Sequence, residues 1–149
     1  MLDNIDKAIL RKLQENAKIS VKELSGQINM SQPAVSERIR KLEKNGYIDK
    51  YTIKLNSKKL GRNFICFCFL VLKSSCESCE KEFRDFVRES KEIQECYCVA
   101  GPYEYIVKIV TESPETLESI LIKMRRECVV KSYTYPVLAA VKDDTGYNI

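Results

Sequence analysis

The tightest constraint on the fold lies in the residues around Asn29. Ser20 followed three positions later by Glu23 is a capping-box pattern, and Val21, Leu24 and Ile28 form one apolar stripe, which predicts a short helix near Val21 to Ile28. Asn29 tolerates the left-handed backbone that ends a helix, Ser31 is a cap for the next one, and Pro33 suits a first helical turn. The following helix turns Val35, Ile39 and Leu42 inward and ends near Asn45-Gly46. Upstream, Asp3 caps another helix whose apolar positions are Ile5, Ala8, Ile9 and Leu13. Two capped helices across so short a turn make a helix-turn-helix pattern.

With the apolar residues inward, the outer arc of the later helix holds Pro33, Ser36, Glu37, Arg40, Lys41 and Lys44, with Ser31 and Gln32 at its start. Such groups read nucleic acid: Gln pairs with adenine, Arg with guanine, Ser with several base edges, and Lys neutralises phosphate. A solvated amphipathic helix would carry similar residues. Charge separates the readings. Residues 1–62 hold 14 Lys/Arg against 7 Asp/Glu, and residues 63–149 hold 11 against 14, so a basic module precedes a mildly acidic one. That asymmetry fits a polyanion binder with a second, non-electrostatic part. After Gly46, Tyr47 to Leu55 alternates apolar and polar residues and is expected to form a strand or short wing, whose Lys50 and Lys54 reach phosphates. Asn56 to Asn63, with Arg62 as a further phosphate contact, reads as a linker.

The run from Leu2 to Gly61 closely resembles the DNA-binding domain of the leucine-responsive/asparagine regulator family, Lrp/AsnC. The resemblance rests on the opening LD..D..IL, the capped second helix and the S...V..R...LE..G.I block from Ser31 to Ile48. Asn29 departs from the glycine common there, and it keeps tolerance for positive φ.

The second part begins with Phe64 to Leu72, nine residues apolar on both alternating faces. That is about half of a membrane-spanning helix, and suits a strand buried on both sides. Its own helices cover one face and a second subunit the other. A helix from about Cys79 to Ser90, a strand from Ile93 to Ala100, a Gly101-Pro102 turn, a strand from Tyr103 to Val110, a Ser113-capped helix starting at Pro114 and a strand near Val129 to Val141 follow. The order βαββαβ predicts a ferredoxin-like sandwich. The fold expected is therefore α+β, with a winged-helix-like reader over 1–62 and a ferredoxin-like regulatory and dimerisation domain over 63–149.

The resemblance implies that this second domain binds amino acids or related metabolites between subunits and assembles dimers and octamers. The family's turn between second and third strands often reads Gly-Asp-x-Asp; here it is Gly101-Pro102-Tyr103-Glu104, with Pro102 removing one acid and one backbone donor. Ser132 and Thr134 lie in the strand that the resemblance sets opposite this turn, so an effector pocket of Gly101, Pro102, Tyr103, Glu104, Ser132 and Thr134 is expected. A hairpin turn with no ligand is the plainer reading.

Seven cysteines and an acidic, leaderless start point to a reduced, cytoplasmic setting, with no membrane partner. Cys76-Glu77-Ser78-Cys79 has the spacing of zinc and thiol-redox sites, while Cys66/Cys68 and Cys96/Cys98 fit strand residues packed on one side of a sheet; no metal site is expected. The chain has no His, no phosphate-binding glycine loop and no acid cluster for a metal, so neither catalysis nor a required cofactor is expected. The expectation is a homodimeric, sequence-specific regulator of transcription on double-stranded DNA, tuned by an amino acid. An architectural DNA protein without effector, and a thiol- or metal-sensing regulator, stay open.

Overall fold

A computed structural model describes residues 1–74, 76–143 and 146–149. They form two compact units: Met1–Lys54 together with Asp143–Ile149, and Leu55–Lys142.

The first unit holds α1 (Asn4–Glu15), α2 (Val21–Gln27) and α3 (Gln32–Lys44). Their starts follow from local chemistry. Asp3 and Asp6 form a reciprocal capping box on α1, and the Ser20 hydroxyl accepts the Glu23 N–H at 3.1 Å on α2. Asn29 takes φ 53°, the left-handed turn expected of it. Ser31 occupies the cap position of α3 without a side-chain bond; Pro33, at the second helical position, has no N–H to offer it. Ile9, Leu10, Leu24, Val35 and Leu42 form the core, and Ile149 packs against it. The tail reaches α1 by hydrogen bonds: Gln14 exchanges one with the Tyr147 carbonyl at 3.1 Å and one with the Tyr147 N–H at 2.6 Å.

Tyr47 to Leu55 is irregular, so the expected strand does not form. Alternation prepares a segment for a sheet, but a strand exists only when a neighbour takes its backbone groups. The side chain of Tyr51 is instead bonded to Glu43 at 2.9 Å.

The second unit is β1 (Phe64–Leu72), α4 (Glu77–Glu89), β2 (Ile93–Cys98), β3 (Tyr105–Thr111), α5 (Pro114–Glu127) and β4 (Val129–Pro136). The strands form one antiparallel sheet in the order β2-β3-β1-β4. Each helix thus bridges two strands that flank a third, which is the ferredoxin-like arrangement. Even-numbered residues of β1, from Cys66 to Leu72, are buried with Phe83, Phe86, Leu117 and Met124 beneath the two helices. Phe67 and Phe69 point to the other face, where Phe69 lies 5.2 Å from Tyr103 and 5.5 Å from Tyr135, ring centre to ring centre. β4 stops at Pro136, short of Val141, with one further bond from the Val137 N–H to the Ile65 carbonyl, near the start of β1. The helix expected from Cys79 starts at Glu77, with Cys76 as its cap.

Candidate functional site

On α3, Val35 and Leu42 anchor the helix to the core, so the opposite arc faces solvent. Gln32, Pro33, Ser36, Arg40, Lys41 and Lys44 are exposed and Glu37 is half-buried, which gathers the expected reading groups on one helical face with Ser31 at its start. Glu37 grips Arg40 through two bonds of 2.8 and 2.9 Å and also approaches Lys41 at 3.7 Å. The Arg40 hydrogen bonds are the main reason the Glu37 carboxyl sits below its ordinary range, and they raise the guanidinium in turn. These side chains remain 66% and 45% exposed for Arg40 and Glu37, so water screens the pair and a phosphate or guanine edge competes for the same donors.

The other expected phosphate contacts are dispersed. Lys50 is exposed in the irregular segment. Lys54 is held 2.8 Å from Asp143, and Arg62 belongs to the second unit, where it pairs with Glu112 at 3.3 Å.

Arg38 is a structural contact beneath this face that the sequence did not single out. Its guanidinium lies 2.7 Å from both Asp3 and Asp6, joining α3 to the capping box of α1. The clue was its phase: three residues after Val35 and four before Leu42, it lies on the inward side, where a cation needs acidic partners. The Asp6 backbone bond and then Arg38 hold the Asp3 carboxyl below its usual range.

In the second unit the turn after β2 opens at Gly101, with φ 142°, a backbone that suits glycine. Tyr103 joins the aromatic face, 5.4 Å from Tyr133. The Glu104 carboxylate accepts the Leu72 N–H at 2.5 Å, and the Glu104 N–H donates to the Leu70 carbonyl at 3.0 Å. Ser132 pairs with Leu70 and Thr134 with Cys68 across β1 and β4, which puts both on the helix-covered side; the Thr134 hydroxyl lies 3.4 Å from the Cys68 sulfur. Tyr103 and the two hydroxyls therefore address opposite faces.

The strand cysteines Cys66 and Cys68 are buried, their sulfurs 4.0 Å apart, and Cys66 is pushed up first by its bond to Cys68 and then by burial. Burial also raises Cys128 to about 11. Such thiols serve as small apolar packing groups. Among the described residues no group of three or more His, Cys, Asp or Glu is placed to hold a metal ion, and no helix is long and apolar enough to cross a membrane.

Two family models match the chain: a winged helix-turn-helix DNA-binding domain over residues 2–49 and the Lrp/AsnC ligand binding domain over residues 65–147. The chain is 34% identical over 123 residues to the HTH-type transcriptional regulator LrpC of Bacillus subtilis, covering 82% of this chain and 83% of LrpC. It is 33% identical over 143 residues to the leucine-responsive regulatory protein of Escherichia coli, covering 95% of this chain and 87% of that protein. The solved structure of Bacillus subtilis LrpC superposes with a TM-score of 0.88 at 30% identity, over 95% of this chain and 98% of LrpC. A transcriptional regulator of Neisseria meningitidis solved with L-methionine has a TM-score of 0.95 over 99% of this chain and 97% of its own, at 21% identity, a likeness of fold alone. A helix-turn-helix with an exposed polar and basic arc, followed by a matched ligand-binding domain, is thus one architecture shared along the whole chain, which belongs to the Lrp/AsnC family of DNA-binding transcription regulators.

Proposed function

We propose that this regulator reads its operator with Gln32, Ser36, Glu37 and Arg40 on base edges, and that Lys41, Lys44 and Lys50 neutralise phosphates. The observation that carries this reading is the single exposed arc of α3, with Ser31 and Pro33 at its entry. Lys54 and Arg62 join only by releasing Asp143 and Glu112. The chain acts in the cytoplasm, where double-stranded DNA and metabolites meet, and carries no catalytic step.

Two copies bring two α3 helices to successive major grooves, so the operator is an imperfect palindrome with half-sites about one helical turn, or a multiple of it, apart. The open sheet face supports pairing of copies: Phe67, Tyr97, Tyr133 and Tyr135 are exposed on a surface that a monomer leaves to water. Dimers assemble further, up to octamers, as the family resemblance implies.

The effector is an amino acid held near Gly101, Pro102, Tyr103 and Glu104, on the aromatic face; Ser132 and Thr134 turn to the helix-covered side and take no part in it. The aromatic surface beside the turn suits an amino acid with an apolar side chain. An effector acts only by binding two assembly states unequally.

The test is binding of purified protein to its own upstream region against random competitor, across salt, with each common amino acid added in turn. Salt-steep, sequence-selective binding that one amino acid shifts is expected. Equal affinity for specific and random duplexes would remove the base-reading assignment. Selective binding that no amino acid moves would leave the architectural or constitutive reading.

A further inference from the structure

Five of the seven cysteines lie on strands or at the end of α5, and the other two stand together at the entry to α4. Cys76 is the N-cap of that 13-residue helix, exposed to solvent, in an extended backbone of φ −80° and ψ 150°. Its sulfur accepts the Cys79 N–H at 3.3 Å and lies 3.2 Å from the Ser78 hydroxyl. Cys79 sits one turn on, half-exposed, so both thiols open to solvent at the positive end of a helix.

We propose that Cys76 and Cys79 form a reversible dithiol site that takes low-molecular-weight disulfides of the R–S–S–R class, Cys76 attacking and Cys79 resolving. The inference goes beyond the DNA-reading function and does not depend on it. The cap geometry explains the division of labour. Hydrogen bonds from Cys79, both thiol and N–H, and from Ser78 pull the Cys76 thiol down to about 6, while the proton shared with Cys76 pushes Cys79 up. At neutral pH the nucleophile is therefore preformed on Cys76 and the proton stays on Cys79.

The Cys76 thiolate attacks one sulfur of the disulfide, forming a mixed disulfide and expelling one thiolate. Cys79 then loses its proton to that thiolate and attacks the Cys76 sulfur, closing the Cys76–Cys79 bond and expelling the second thiolate. The protein loses two electrons and the small disulfide is reduced to two thiol equivalents. Residues three apart at a helix start suit such a bond, because the cap residue's extended backbone lets its Cβ approach the first turn. A third ligand that would favour a metal is lacking among the described residues. Closing the bond also takes the thiolate cap away from α4, the helix that carries Phe83 and Phe86 into the regulatory core.

The experiment exposes the full-length protein to glutathione disulfide at neutral pH, alkylates it and maps tryptic peptides. Cleavage after Lys73 and Lys81 isolates residues 74–81, which contain Cys76, Cys79 and no other cysteine. The expected result is loss of both alkylation sites and of two hydrogens in this peptide, reversed by dithiothreitol. Cys79→Ser should accumulate a glutathione adduct on Cys76, and Cys76→Ser should leave Cys79 alkylatable. Serine is itself a good cap, so α4 starts normally in the second variant. Wild-type protein in which both thiols stay alkylatable would overturn the proposal, as would a disulfide mapped to Cys96 or Cys98, or an adduct on Cys79 that forms equally without Cys76.

Discussion

On α3 the side chains proposed to meet DNA stand in water and lean on one another: Arg40 and Lys41 are 66% and 65% exposed, and both share Glu37. In the regulatory domain the polar groups of the turn and of β4 are already engaged, Glu104 with the β1 backbone and Thr134 with a buried sulfur. The reader can therefore exchange partners with little loss of solvation, whereas a ligand at the turn must displace existing bonds or work through the aromatic face. A surface made of solvated ion pairs is ready before its partner arrives. One made of satisfied backbone contacts has to be rearranged.

The largest expected effect tests whether the two regions are separate in energy as well as chemistry. Phe83→Ala empties a fully buried site under the sheet and should cost the regulatory unit about 3–5 kcal/mol, while Leu24→Ala should cost the reader about 2–5 kcal/mol. Calorimetry should show each substitution lowering a different transition; one shared transition moved by both would break the comparison. Next in size, Arg40→Ala should lower operator affinity by about tenfold to a hundredfold, with the loss confined to one base position. Loss of equal size on random duplex would move Arg40 to the phosphate group. Lys44→Ala should weaken all sequences alike and reduce the salt slope by about one. A base-dependent loss there would reverse the assignment.

The smallest effect concerns acid. The folded Asp3 carboxyl lies below its ordinary value of 3.8, so its contribution is full above that value and fades as pH falls through the lower folded one. Asp3→Asn should flatten the acid limb of reader stability, followed by circular dichroism during acid titration. An unchanged limb would show that Arg38 draws nothing from this partner.

Much of this architecture was legible because it is written in short range. Caps at Asp3, Ser20 and Ser113, the positive φ at Asn29 and the apolar phases of the three reader helices are decided within a turn or two of chain. The features that escaped depend on partners far away in sequence. Alternation from Tyr47 to Leu55 suggested a strand or short wing, but among the described residues no strand pairs with it. Arg38 carried no role in the sequence because the partners that hold it, Asp3 and Asp6, stand 35 and 32 positions away. Cys76 carried no cap role in the sequence because a thiol is a weak acceptor beside the usual serine, yet its sulfur takes the Cys79 N–H. For the effector pocket, family spacing set Ser132 and Thr134 against the turn, whereas strand parity turns them toward the helices.

The return of residues 146–149 to α1 bears on how the protein is made. The reader draws on both ends of the sequence, with Ile149 against its core and Gln14 bonded to Tyr147, so the regulatory domain is an insertion within it. On a ribosome the three reader helices emerge before the sheet and lack their contacts with residues 146–149 until it has been synthesised. The reader's core is thus closed by residues that are made after the sheet, although its helices are made before it.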